Sequence, residues 1–176
     1  MRVLVTYGSS RGGTEGLARM VADGLRDCGL DVEVLSPKRA SDISGYDAVI
    51  VGGAVYAFRW HRAARKFVRK HAAALRQRPT YFFSSGPLDD SASSNDIAPV
   101  AGVKSLMERT GARGHATFGG RLSPDARGFP ASAMAKKHSG DWRDSAQVRT
   151  WALKVAQQLV GETGTAAPVS HDGVAQ

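Results

Sequence analysis

The sequence predicts an α/β protein: a doubly wound, five-stranded parallel sheet with helices on both faces. Three observations carry that expectation. Short apolar runs alternate along the chain with segments of helical period, as strand–helix–strand units with right-handed crossovers require. Ala48-Val49-Ile50-Val51 is apolar without interruption, the pattern of a strand buried on both faces. Val3-Leu4-Val5 feeds directly into a Gly/Ser-rich turn and then a helix, which is how a parallel sheet delivers its first loop to one edge.

Each element follows from local pattern. Leu17, Val21 and Leu25, with Ala18 and Cys28, form one apolar stripe after Thr14. Thr14 is expected to cap that helix and Gly29 to end it in a left-handed conformation. Leu30, Val32 and Val34 alternate with Asp31 and Glu33, a half-exposed strand near a sheet edge. Asp42 to Asp47 is too short for an ordinary crossover helix. A second helix is expected from about His61 to Arg76, with Ala64, Phe67, Val68, Ala72 and Leu75 inward and cations between them. Pro79 stops it, and Thr80 to Ser84 reads as the next strand. A third helix spans about Ile97 to Thr110, Ala116 to Phe118 is the last strand, and Trp142 to Val160 the last helix. Trp142 and Trp151 fall on the packing side of that helix. Residues 1–160 thus read as one domain, and the aperiodic 161–176 stretch as a flexible tail.

Composition narrows the class. With 42% hydrophobic and 23% charged residues, 176 residues suit one globular domain rather than a disordered chain. Apolar runs stop at four or five residues, far short of the ~20 that span a bilayer. The first ten residues hold no signal-peptide core. Cys28 is alone, so neither an intrachain disulfide nor a cysteine metal cluster forms. A cytoplasmic protein is expected. The net charge of +8 first suggests nucleic acid, but its position argues otherwise. Between Ala48 and Leu88 there is no acidic residue, while Arg59, Arg62, Arg65, Lys66, Arg69, Lys70, Arg76 and Arg78 all fall there. The rest of the chain holds 16 basic and 16 acidic residues. These cations lack the interleaved aromatics of a single-strand platform, so no nucleic-acid partner is expected. The patch is either a solvated helix face or a dock for an anionic partner.

Three loops reach the carboxyl edge of the predicted sheet, where open parallel sheets bind ligands. Gly8-Ser9-Ser10-Arg11-Gly12-Gly13-Thr14 has neither the spacing of a nucleotide-triphosphate loop nor that of a dinucleotide fingerprint. It offers hydroxyls, glycines whose amides can turn inward and a helix N-terminus, a combination that holds one phosphate. A plain Gly/Ser turn with a capping threonine is the alternative. Gly52 to Trp60 brings Tyr56, Phe58 and Trp60 within five residues. Aromatic faces there can stack on a flat heteroaromatic ring, or build a small satellite core, the role expected of Trp60. Ser84-Ser85-Gly86-Pro87-Leu88 supplies backbone donors across the same crevice. A monophosphate pocket beside a slot for a flat ring describes flavin mononucleotide (FMN).

On these residues the chain resembles the flavodoxin-like superfamily. Ser9-Ser10-Arg11-Gly12-Gly13-Thr14 occupies the place of its Ser/Thr-x-Thr-Gly-x-Thr loop, with Arg11 where threonine is usual. Closer still, residues 51–75, with their small-residue turn, aromatic, His and Phe-Val-basic-Lys-His-Ala run, are similar to the flavodoxin-type, menaquinone-dependent protoporphyrinogen oxidase family. Gly140-Asp141-Trp142-Arg143-Asp144 is similar to its Asp-Trp segment. The resemblance implies strand order 2-1-3-4-5, an FMN-binding domain over residues 1–160 and oxidoreductase activity. It implies cofactor contacts from Ser9, Ser10, Arg11, Gly12, Gly13, Thr14, Ala54, Val55, Tyr56, Ala57, Phe58, Ser84, Ser85 and Gly86. Gly52-Gly53-Ala54 is expected to be a flexible turn near the ring. No catalytic acid or base is assigned: His61, near the site, reads equally as structural. His71 reads as solvated, and Arg121 as within reach of the pocket.

In that family a long, apolar, basic insertion precedes the last helix. Here Gly120 to Gly140 is shorter and carries Ser123, Pro124, Asp125, Ser132 and Ser139, which leaves at most peripheral membrane contact. The resemblance leaves room for a homo-oligomer, with the exposed 120–140 loop as its candidate contact, without fixing the oligomeric state. A redox partner or small anionic substrate is expected near Arg59, Arg62 and Arg65, whose charge favours the reduced anionic cofactor. An electron carrier without its own substrate and a non-redox anion-binding module are the rival classes.

Overall fold

The computed structural model describes residues 1–10, 12–126, 135 and 139–163. In chain order its elements are β1 (Arg2–Gly8), α1 (Gly13–Arg26), β2 (Asp31–Leu35), β3 (Ala48–Tyr56), β4 (Arg59–Trp60), α2 (Arg62–Lys70), α3 (Ala72–Arg76) and β5 (Thr80–Ser85). There follow α4 (Ser91–Ser94), α5 (Ala101–Thr110), β6 (Gly114–Phe118), β7 (Arg121–Leu122), β8 (Gly140–Asp141) and α6 (Ser145–Thr163). Five parallel strands stand in the order β2-β1-β3-β5-β6. That is the 2-1-3-4-5 order anticipated, with β4 added antiparallel to the end of β3.

Period-two alternation divides the core into two layers. Val3, Val5, Ile50, Phe83 and Phe118 face α1 and α6, against Leu17, Val21, Leu25, Val148, Val155 and Leu159. Leu4, Val49, Val51 and Phe82 face the other way, toward Phe67, Val68, Leu75, Val103 and Leu106. Each fully buried large side chain contributes on the order of 1.5–3 kcal/mol of transfer energy. The unbroken 48–51 run is apolar because both layers draw on it. Ala40, Ile43 and Tyr46 pack into the second layer from the helix-free connection between β2 and β3.

Gly29 ends the first helix as anticipated, at φ +79°. Its N–H bonds Arg26 O at 2.8 Å and that of Leu30 bonds Leu25 O at 3.3 Å, the paired closure of a left-handed C-terminus. Several local expectations shift. Thr14 lies buried inside α1 rather than capping it, because the left-handed turn falls earlier, at Gly12. The second helix bends at His71 into α2 and α3, although His71 N–H to Phe67 O (3.0 Å) and Leu75 N–H to His71 O (2.9 Å) carry the ladder across. The His71 ring lies 4.7 Å from that of Phe67, and burial lowers its pKa, so it is not simply solvated. The third helix starts at Ala101, after Pro99, since a residue before proline is driven out of helical conformation.

Trp142 precedes the last helix and packs with Leu88, Leu122, Ala126 and Ala135 in a satellite cluster. Trp151 joins the main core, 5.7 Å from Phe118. Asp144 caps α6 through Ala146 N–H (2.9 Å) and Gln147 N–H (3.1 Å). That helix runs to Thr163, three residues into the anticipated tail; 164–176 fall outside the described residues, as does most of the 127–138 loop. No described helix is long and apolar enough to cross a membrane.

Candidate functional site

Register puts the carboxyl ends of four strands along one edge. Gly8 stands beside Gly53, Gly53 beside Ser84, Ala54 beside Ser85, and Ser85 beside Phe118. The loops after β1, β3, β5 and β6 all leave there. Strand order reverses between β1 and β3, where a ligand crevice opens in such sheets.

The loop after β1 is built around donors. Gly12 sits at φ +76°, and its N–H bonds Ser9 Oγ at 3.1 Å. The first helical bond of α1 runs from Gly16 N–H to Gly12 O at 3.0 Å. No side chain caps this helix, so the amides of its first turn, Gly13 and Thr14 among them, have no partner within it. Arg11 lies outside the described residues. Arg121 passes directly against the loop, its carbonyl 3.4 Å from where a Gly13 Cβ would stand. The Arg121 side chain points to Asp141, at 3.9 Å. Arg143, which the sequence reading did not single out, grips Asp141 (Nε to Oδ1, 2.7 Å) and reaches Gly13 O at 3.5 Å. That guanidinium holds the Asp141 carboxyl below its usual pKa.

On the ring side, β3 continues to Tyr56, so Gly52-Gly53-Ala54 is regular strand and not a flexible turn. The glycines serve contact. A Cβ on Gly52 would stand 2.0 Å from the Phe83 ring, and one on Gly53 2.4 Å from the Trp60 indole. Trp60 is correspondingly a main-core residue, 5.2 Å from Phe82, rather than part of a satellite. The turn is Ala57-Phe58 alone, closing the β3–β4 hairpin between Tyr56 and Arg59. Both residues have positive φ, 45° and 58°, the two-residue primed turn that Asn-Gly usually makes. A left-handed L-residue costs about 1–2 kcal/mol. The turn holds Tyr56 at 46% and Phe58 at 86% exposure, while Ala54 beneath is buried. Strain of this kind gathers where a ligand is gripped.

Across the crevice, Gly86 N–H bonds Phe118 O at 2.9 Å. Ser84 and Ser85 are both buried, and the Ser84 hydroxyl is engaged with His115 Nε2 at 2.9 Å. Burial pushes the His115 pKa down to about 4.

His61 joins the two sides. As the residue before α2 it accepts the Ala63 N–H at Nδ1 (3.2 Å), while Nε2 lies 2.9 Å from Ser10 Oγ. Its own N–H bonds Ala54 O at 2.7 Å. Only glycine at position 8 admits the ring, since a Cβ there would stand 2.8 Å from His61 Nδ1. Burial, and then Arg65, lower the His61 pKa. Beyond it, Arg62, Arg65, Lys66, Arg69 and Lys70 line a shallow surface groove, and among the described residues none of them is ion-paired. No three described His, Cys, Asp or Glu side chains group to hold a metal. Uncapped amides, two serine hydroxyls and an exposed aromatic hairpin fit a phosphate monoester bearing a flat ring.

Comparison with known proteins agrees. The flavodoxin domain model matches residues 4–136. The protoporphyrinogen IX dehydrogenase [quinone] of Escherichia coli K12 is 29% identical over 86 residues, 48% of this chain and 48% of that protein. The chain therefore matches about half the length of those relatives. Among solved structures, rubredoxin oxygen:oxidoreductase from Desulfovibrio gigas superimposes with a TM-score of 0.64 at 18% identity, over 94% of this chain and 37% of that one. A flavodoxin from the domain Archaea gives 0.60 at 15%, over 91% and 99%. The two-electron reduced flavodoxin of Megasphaera elsdenii gives 0.59 at 18%, over 88% and 98%.

Proposed function

Because the chain belongs to the flavodoxin domain family, whose cofactor is FMN, we propose that it is an FMN-dependent oxidoreductase resembling the flavodoxin-type protoporphyrinogen dehydrogenases. The observation that carries the site reading is the strained Ala57-Phe58 turn, which presents aromatic surface at the same sheet edge to which β1 delivers the uncapped start of α1. Ser9 and Ser10, with the Thr14 hydroxyl and the free first-turn amides of Gly13 and Thr14, hold the phosphate. Ala54 to Phe58 border one face of the ring, and Ser85 and Gly86 the other. Ser84 steadies that second edge through His115. Bound FMN supplies reversible electron transfer; the chain binds it, orients it and shields one side from water.

The unpaired cations of β4 and α2 support an anionic reaction partner: a carboxylated small substrate, or an acidic redox protein if the chain is a carrier. They also favour negative charge on the reduced cofactor by Coulomb attraction. An absorption spectrum of the purified protein tests the cofactor, and a colourless protein that takes up no FMN refutes the reading. Anaerobic mixing of the FMN-loaded protein with a reduced porphyrin and a quinone then separates the two partners. Turnover supports the dehydrogenase, and its absence alongside reduction by an acidic electron-transfer protein supports the carrier.

A further inference from the structure

We propose that His61 is a positioning residue for the phosphate loop: its Nε2–H fills the acceptor side of Ser10 Oγ and so turns the Ser10 hydroxyl hydrogen outward, toward the phosphate. The inference rests on the FMN reading above. A hydroxyl has one hydrogen to give and lone pairs to receive, whereas a phosphate dianion only receives. Ser10 is therefore useful to a phosphate only if its hydrogen is not spent on a neighbour.

The tautomer of His61 decides this. Nδ1 accepts the Ala63 N–H at the start of α2, so the hydrogen of the neutral ring is on Nε2, 2.9 Å from Ser10 Oγ. With the other tautomer two hydrogens would collide at Ala63, and Nε2 would take the Ser10 hydrogen for itself. A helix cap thus sets the direction of a hydroxyl 51 residues earlier in the chain. The ring is held in this orientation by the Ala63 N–H on Nδ1, in a place beside Gly8 where a Cβ would stand 2.8 Å from Nδ1, while the His61 N–H ties its backbone to Ala54 O. The charged neighbour that acts on it, Arg65, opposes protonation, as does burial.

Ser10→Ala, His61→Asn and the double variant test the idea in the full chain. Asparagine keeps the cap on Ala63 but is too short to reach Ser10. Each apoprotein is titrated with FMN and with riboflavin, which lacks the phosphate, by quenching of flavin fluorescence. The wild type is expected to prefer FMN by at least about tenfold. Each single variant should lose about five- to tenfold in FMN affinity and stay within about twofold for riboflavin. The double variant should be no worse than the weaker single one, because both remove the same donated hydrogen bond. An FMN loss below twofold in His61→Asn, an equal loss for riboflavin, or multiplication of the two losses overturns the positioning role. Equal affinity of the wild type for FMN and riboflavin overturns instead the phosphate site on which it rests.

Discussion

Replacing Phe58 by glycine should make the apoprotein more stable and the cofactor weaker. The side chain is 86% exposed, so its removal surrenders little burial. Glycine relieves a left-handed conformation at φ 58° that costs an L-residue about 1–2 kcal/mol. Against this stands the extra freedom glycine gives the unfolded chain, about 0.4–1 kcal/mol. The balance is a gain of roughly 0.5–1 kcal/mol, which at this chain length raises Tm by about 1–4 °C. Meanwhile the ring that would stack on the flavin is gone. Aromatic pairs contribute about 0.5–1.5 kcal/mol beyond area, so FMN affinity should fall roughly three- to tenfold. Thermal unfolding of the apoprotein followed by circular dichroism, beside an FMN titration, measures both. An unchanged or lower apoprotein Tm refutes the strain argument. Unchanged FMN affinity refutes the placement of the ring against the hairpin.

Other consequences are equally open to measurement. Gly53→Ala drives a methyl into the Trp60 indole and should cost about 1–3 kcal/mol, seen as a lower urea midpoint at constant slope. His115 has a folded pKa of about 4 against an ordinary ~6.5. The unfolded chain therefore takes up the proton first, and the contribution to stability is complete above about pH 6.5 and lost as pH falls toward about 4. That loss is up to about 1.4 kcal/mol per pH unit; His115→Gln should flatten the slope of urea stability in this window, leaving the smaller same-sign parts of His61 and His71. Reversing Arg62 and Arg65 to glutamate should lower the two-electron potential of the bound flavin, by an amount that shrinks as salt rises. An unshifted potential at low salt would remove these cations from the tuning of the cofactor.

Much of the scaffold was legible because it is written in short-range pattern. The 48–51 run, the Leu17-Val21-Leu25 stripe and the Gly29 stop each answer to a rule of period or conformation that neighbouring residues obey. What escaped depends on partners far along the chain. Gly52-Gly53 reads locally as a turn, yet its reason is the Phe83 ring and the Trp60 indole. Thr14 follows two glycines, and sequence alone could not place the left-handed turn at Gly12 rather than assign the cap to Thr14. β7 and β8, two residues each, are too short to have a period. The phosphate loop and the aromatic hairpin were both visible as candidates, but not the His61 link between them, nor the commitment of Ser84 to His115. An arginine between tryptophan and aspartate gives no hint that it will brace Gly13 O from 130 residues away.

The concentration of positive charge on β4, α2 and the residues that follow has a consequence for encounter. A chain whose remaining residues are formally neutral behaves at long range as a lopsided charge distribution, and a negative body drifting nearby exerts a torque on it. That torque swings α2 forward, and with it the end of the crevice where His61 meets Ser10. For the anionic partner proposed above, collisions would then begin already oriented, and the arginines would act on how often an approach is productive rather than on how long the two stay together.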